Sequence, residues 1–250
     1  MFEATARMTI REGELDGFKQ QAVGIMRQTR EKDTKTLRYD WFLSDDGTRC
    51  EVREAYVDAD ALLEHHHHIA EAKAELFRDF ADDHDMTLYG EPSPALVRAV
   101  EAMADHVAFH RFSLLQGLDG EAREGAGPAF EASARLKIRD GALEAFKQQA
   151  AEIVRHTNDQ DAKPLRYDWY LSDDGTECEV REAYVDPDAL LAQQRRIGEA
   201  KMRLFHECVA GHGMTFYGEL SPALAGALEA MSVEAARFSF FQGLEAPVLA

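Results

Sequence analysis

The chain has 250 residues, 45% of them hydrophobic, and a formal charge of −18 from 28 basic and 46 acidic side chains. That balance sets aside nucleic acid and anionic lipid as main partners, and no apolar run reaches the length of a membrane span. The N-terminus lacks a basic-then-apolar leader, and three cysteines without framework spacing point to reduced thiols in a cytoplasmic protein.

The chain is written twice. FEATARMTIREG from Phe2 returns as FEASARLKIRDG from Phe130, and the offset of 128 holds without a gap for about a hundred residues. Both copies carry LRYDW (Leu37–Trp41, Leu165–Trp169) and CEVREAYVD (Cys50–Asp58, Cys178–Asp186), and both close with QGL, at Gln116 and Gln242. A repeat of this length is domain-sized, not a solenoid unit. Domains are expected over 1–119 and 129–250, with the glycine-rich stretch 120–128 as linker.

In the first repeat, residues 3–11 alternate apolar and polar, which predicts a strand. Leu15, Phe18, Ala22, Ile25 and Met26 recur at helical spacing and predict an amphipathic helix to about residue 31. Strands over 35–44 and 48–57 follow, joined by Asp45-Asp46-Gly47, a tight-hairpin signal. Asp58 or Asp60 can cap a second helix whose buried stripe is Leu62, Ile69, Ala72, Leu76 and Phe80. Residues 86–91 read as a fourth strand, with His84 just before it as a turn residue, matched by His212. Ser93-Pro94 opens a short third helix, and residues 112–115 are extended. The order is β-α-β-β-α-β with a further helix and strand, the ferredoxin-like split βαβ pattern. The fold class is therefore α+β. Two ferredoxin-like domains are expected to pack sheet to sheet as an intramolecular α+β barrel, a pseudo-dimer within one chain.

Alternation assigns the faces of the sheet. Met8, Ile10, Leu37, Tyr39, Trp41, Cys50 and Val52 are expected to face the helices. The opposite face then carries Arg7, Arg38, Asp40, Phe42, Glu51, Arg53, Thr87 and Tyr89, and in the second repeat Arg135, Arg166, Asp168, Tyr170, Glu179, Arg181, Thr215 and Tyr217. Charges on a covered face are costly unless paired. They read either as an arginine–carboxylate ladder or as a polar cavity in which a carboxylate takes a phenolic proton and an arginine holds the oxyanion. The aromatic set Tyr39, Trp41 and Tyr56, with Tyr167, Trp169 and Tyr184, reads as core or as a clamp for a flat substrate.

The run YDWFLSDDGTRCEVREAYVDADALLEH, with its copy YDWYLSDDGTECEVREAYVDPDALLAQ, resembles the antibiotic biosynthesis monooxygenase-like family of dimeric α+β barrels. The resemblance implies oxygenation of phenols, quinols or anthrones without metal or flavin, so no cofactor is expected, and a small aromatic or polyketide-like molecule is the implied partner. Relatives in that family bind or degrade haem, and others have no known activity. A non-catalytic small-molecule binding or regulatory module is therefore one alternative, and a haem-binding or haem-degrading protein another. The family histidine falls on His65, where the second repeat has Gln193. The run from His65 to His68 aligns without a gap to the second copy, so it belongs to the helix. It reads as structural or solvated histidines, as a general base near neutral pH, or as a weak metal or haem ligand. The candidate catalytic set is Arg7, Asp40, Glu51, Arg53, His65 and Tyr89, with Arg135, Asp168, Glu179, Arg181 and Tyr217 as copies. Arginine would hold an oxyanion, a carboxylate or His65 would remove the proton, and Tyr89 would orient the ring.

Overall fold

Alternating strands and amphipathic helices need each other's apolar faces, and the chain meets that need twice. The computed structural model describes residues 1–103, 107–118, 130–160, 163–230 and 235–244. The expected linker at 120–128 lies outside the described residues. The first repeat runs β1 (Phe2–Ile10), α1 (Leu15–Lys32), β2 (Thr36–Ser44), β3 (Arg49–Tyr56), α2 (Ala59–His68), α3 (Ala70–Asp79), β4 (Ala81–Tyr89), α4 (Pro94–Met103) and β5 (Ala108–Gln116). The second runs β6 (Phe130–Ile138), α5 (Leu143–Asn158), β7 (Arg166–Ser172), β8 (Glu177–Tyr184), α6 (Pro187–Arg196), α7 (Gly198–Cys208), β9 (Val209–Tyr217), α8 (Pro222–Ala230) and β10 (Ala235–Gln242).

The chain divides into two compact units: Met1–Arg111 together with the chain from Phe238, and Phe112–Arg237. In the first unit the strand order is β4-β1-β3-β2, the ferredoxin-like order, extended by β10 beside β2. In the second it is β9-β6-β8-β7, extended by β5 beside β7. Each sheet thus takes its fifth strand from the end of the other sequence repeat. In the first unit, α1, α2 and α3 cover the face that carries Met8, Tyr39, Trp41 and Val52, and Phe18, Ile25, Leu62 and Leu76 fill the space between. The fold is α+β in both units, and among the described residues no helix is long and apolar enough to cross a membrane.

Local chemistry explains the element ends. Gly47 has φ +69°, the left-handed conformation that the hairpin needs. The Asp46 carboxylate accepts from the Thr48 backbone N–H and hydroxyl. Asp58, not Asp60, caps α2, accepting from the Ala61 N–H at 2.8 Å.

Four expectations change. The second helix is two helices, because Ile69 leaves helical geometry (φ −102°, ψ 6°) between α2 and α3. β4 begins at Ala81, so His84 is a strand residue and not a turn residue. Asp83 has φ +53° and the β1–β4 register shifts between Arg7 and Thr9, a bulge that hides the alternation. His212 lies likewise inside β9. Leu37 is 52% exposed and does not join the core, because the β2–β3 register shifts between Thr36 and Arg38.

Candidate functional site

The charged candidates sit on the helix-free face of each sheet. Cross-strand register sets Arg7 opposite Glu51 and Asp40 opposite Arg53. Arg7 Nε donates to Glu51 at 3.1 Å, and its Nη1 reaches Thr87 Oγ1 at 2.9 Å and Asp85 at 3.2 Å. Arg38 Nε holds Asp40 at 2.7 Å. Glu51, Arg53 and Tyr89 are buried, and Tyr89 stands opposite Glu3 in the register. The copies repeat this: Arg135 donates to Glu179 at 2.7 Å, Arg166 to Asp168 at 2.7 Å and to the Tyr170 hydroxyl at 2.9 Å, and Arg181 and Tyr217 are buried. Arg7, Arg38, Arg135 and Arg166 are paired in this way with carboxylates along the strands.

His65 lies on the other side of the sheet. Its ring packs on Tyr39 and Tyr56, with centroids 4.5 and 5.6 Å away, and its Nδ1–H donates to Asp33 at 2.6 Å. His68 Nδ1 donates to the second oxygen of the same carboxylate at 2.6 Å. Burial works to raise the Asp33 carboxyl, but the bonds from His65, His68 and Thr36 outweigh it and bring the pKa down to about 2. The structure therefore separates His65 from the arginine–carboxylate set. In the second unit Gln193 takes its place and donates to Thr157 Oγ1 at 2.8 Å.

The helix side of the first unit holds a chamber of about 20 Å³ lined by Tyr39, Trp41, Glu54, His66, Lys73 and His84, among others. That is room for one water-sized molecule. Burial raises the Glu54 carboxyl, against the pull of His65, Tyr56 and Lys73, and the Tyr56 hydroxyl donates to it at 2.7 Å. Burial lowers the Lys73 amine, with Glu54 partly offsetting it. Burial and the Lys73 charge push His84 down to about 3, and burial takes His66 well below its ordinary value. The Trp41 indole N–H is buried without a hydrogen-bond partner among the described residues. Trp41 itself is 1% exposed and packs on Phe18 of α1, so it faces the helices as alternation requires.

The second unit repeats the chamber at about 30 Å³, with Tyr167, Trp169, Glu182, Gln194 and Lys201 in the wall. Next to it opens a larger cavity of about 340 Å³ between α6, α7, α8 and β9. Its walls include Leu190, Phe205, Met214, Phe216, Leu224 and Leu228, with Gln194, Lys201 and His212 as its polar members. Gln194, Lys201, Phe205 and Met214 belong to both spaces, so the two are contiguous. Volumes of this order suit a small organic ligand. Among the described residues no cluster of three His, Cys, Asp or Glu side chains is arranged to hold a metal ion.

Glu54, Lys73, His66 and His84 are absent from the candidate set drawn from sequence. A signal for two of them is present in the chain. Glu54 interrupts the apolar series Cys50, Val52, Tyr56 on one strand face. Lys73 falls four residues after Ile69 and three before Leu76 on the buried helix stripe. Both interruptions recur in the second repeat, as Glu182 and Lys201. A buried carboxyl beside a half-buried lysine at the same place in two copies marks a site more strongly than either alone.

Residues 1–83 match the family described as Antibiotic biosynthesis monooxygenase. No curated protein matches the chain. Among solved structures, a proposed monooxygenase from Fusobacterium nucleatum is similar at TM-score 0.61 and 13% identity, covering 85% of this chain and 89% of that one. A proposed monooxygenase from Lactobacillus acidophilus is similar at TM-score 0.56 and 13% identity, covering 85% and 90%. An anthrone oxidase-like protein is similar at TM-score 0.51 and 7% identity, covering 85% and 88%. At these identities the likeness shows the fold.

Proposed function

We propose that the chain oxygenates a small, largely apolar aromatic molecule held between sheet and helices: residues 1–83 match the antibiotic biosynthesis monooxygenase family, and the second repeat copies their sequence. The observation that carries this reading is the cavity of about 340 Å³ in the second unit, contiguous with a smaller chamber where the buried Glu182 carboxyl, the half-buried Lys201 amine, Tyr167 and Trp169 meet. The first unit repeats these groups as Glu54, Lys73, Tyr39 and Trp41 around room for one water.

The chemistry assigned to these groups is proton removal followed by electron transfer. Glu54 or Glu182 accepts the proton of a phenol or of an activated ring CH₂, a task that its raised pKa suits. The Lys73 or Lys201 ammonium stabilises the oxyanion that results. The electron-rich anion then reduces dioxygen, the two fragments combine as a peroxide, and loss of water leaves a carbonyl. One oxygen atom enters the product and the other leaves as water, and the substrate supplies all four electrons that reduce dioxygen.

Oxygen uptake by the metal-free protein with a panel of hydroquinones and anthrones tests the reading. The double variant Glu54→Gln/Glu182→Gln should lose about 10²–10⁴-fold in turnover. Absence of uptake with every member of the panel would overturn it.

A further inference from the structure

We propose that the cavity of the second unit binds an apolar molecule carrying one anionic group, with Lys201 as the anchor for that group. The inference deepens the preceding reading, because it specifies the ligand of the same site in the second repeat.

Lys201 is the charged residue in the wall. Its Nζ donates to Gln194 Oε1 at 2.5 Å and stands 5.4 Å from the centroid of the Phe205 ring. Among the described residues it forms no ion pair. An ammonium drawn out of water and matched only by a neutral amide and a ring face is under-compensated. Glu182, whose charge is felt at Lys201, is committed elsewhere: it accepts the Tyr184 hydroxyl, and burial holds its carboxyl above the usual range. Full compensation therefore has to come from the cavity.

The rest of the lining says what kind of anion fits. Leu190, Phe205, Met214, Phe216, Leu224 and Leu228 call for an apolar body. The other polar members, Gln194 and His212, add no second charge, since burial lowers His212 from its ordinary value. One cation in an apolar wall matches one anionic group. The packing around the cavity points the same way. In the first unit the described apolar core is one continuous cluster that includes Phe2, Leu62, Leu88 and Leu96. In the second, the equivalent residues Phe130, Leu190, Phe216 and Leu224 form a cluster separate from the one around Phe146 and Trp169. The cavity draws its wall from both, so it occupies a break in the core. Met202, 70% exposed, also lines it and opens its edge to solvent.

Two fluorescent probes that share a skeleton test this: anionic 1-anilinonaphthalene-8-sulfonate and neutral N-phenyl-1-naphthylamine. The whole protein should bind both, and the anion more tightly. Lys201→Met should weaken the anionic probe about tenfold or more and leave the neutral one unchanged, which also shows that the cavity is intact. Lys201→Arg should retain the anion. Gly198→Phe should block both probes, because Gly198 lines the cavity and nothing stands within 4 Å of the position its Cβ would take. Undiminished binding of the anion by Lys201→Met overturns the proposal, and so does undiminished binding of both probes by Gly198→Phe. The readout needs no oxygen. A protein that holds the anion through Lys201 yet consumes no oxygen with any substrate fails the oxygenase reading alone. One that oxygenates neutral quinols, with anion binding indifferent to Lys201, fails this inference alone.

Discussion

Asp33 shows how one side chain can turn a suggestive histidine run into a structural device. Its two oxygens take one hydrogen bond each from His65 and His68, which ties the loop after α1 to the last turns of α2. The carboxyl pKa is depressed from 3.8 to about 2. A depressed acid stabilises the fold fully above its unfolded pKa, and that share is lost as pH falls from about 4 towards 2. Asp33→Asn should therefore cost about 2 kcal/mol near pH 7 and flatten the acid limb of the stability curve below pH 4. Urea titrations at pH 7 and pH 3 would check it, and an equal cost at both would argue against the assignment. His65→Gln copies the second repeat, in which Gln193 bonds Thr157. It should lower stability and leave turnover nearly unchanged. A 100-fold loss of turnover would instead make His65 the general base that the histidine pattern suggests.

At the scale of elements, the QGL tripeptides acquire a physical reason. Gly243 follows β10 against Asp40, and Gly117 follows β5 against Asp168, where an added Cβ would come within 2.6 Å of the carboxylate oxygen. Nor is there space for a Cβ at Gly243, whose carbonyl accepts from Arg30. Gly117→Ala and Gly243→Ala should each destabilise by about 1–3 kcal/mol, the usual cost of overpacking. Shortening the facing acid, as in Asp40→Ser for Gly243→Ala, should recover part of the loss in thermal melts. A neutral Gly243→Ala would mean that the strand end can move aside. The bulge in β4 works in the same register-setting way, turning a stretch that reads as a polar turn, ADDHD, into strand. The ring of His84, on that strand, stacks on Phe77 at 4.5 Å.

At the scale of the whole molecule, each sheet is completed by a distant part of the chain. β10 pairs with β2 through Phe238–Ser44, Ser239–Leu43 and Phe240–Phe42, and the rings of Phe240 and Phe42 meet at 5.7 Å. Removing residues from 238 onward should therefore expose the edge of β2, some 190 residues earlier in the chain, and leave β7 paired with β5. Hydrogen exchange should then accelerate at 41–44 and stay slow at 169–172. Faster exchange at 169–172 with 41–44 still protected would contradict the pairing.

The sequence by itself determined the duplication, the β-α-β-β-α-β order and the face on which Trp41, Tyr39 and Val52 are buried. Alternation and helical spacing are local properties, and the second copy checks the first. It also placed Arg7, Glu51, Asp40 and Arg53 on one face, because a strand's period of two carries across the register. Only the tertiary structure decided what those charges do, since pairing depends on which strands are neighbours. It alone moved His65 away from them, brought Glu54 and Lys73 together across some twenty residues, and opened a cavity beside Lys201. Burial, which shifts the pKa of Glu54, Lys73 and Lys201, belongs to the packed assembly of sheet and helices and is written in no single segment of the chain.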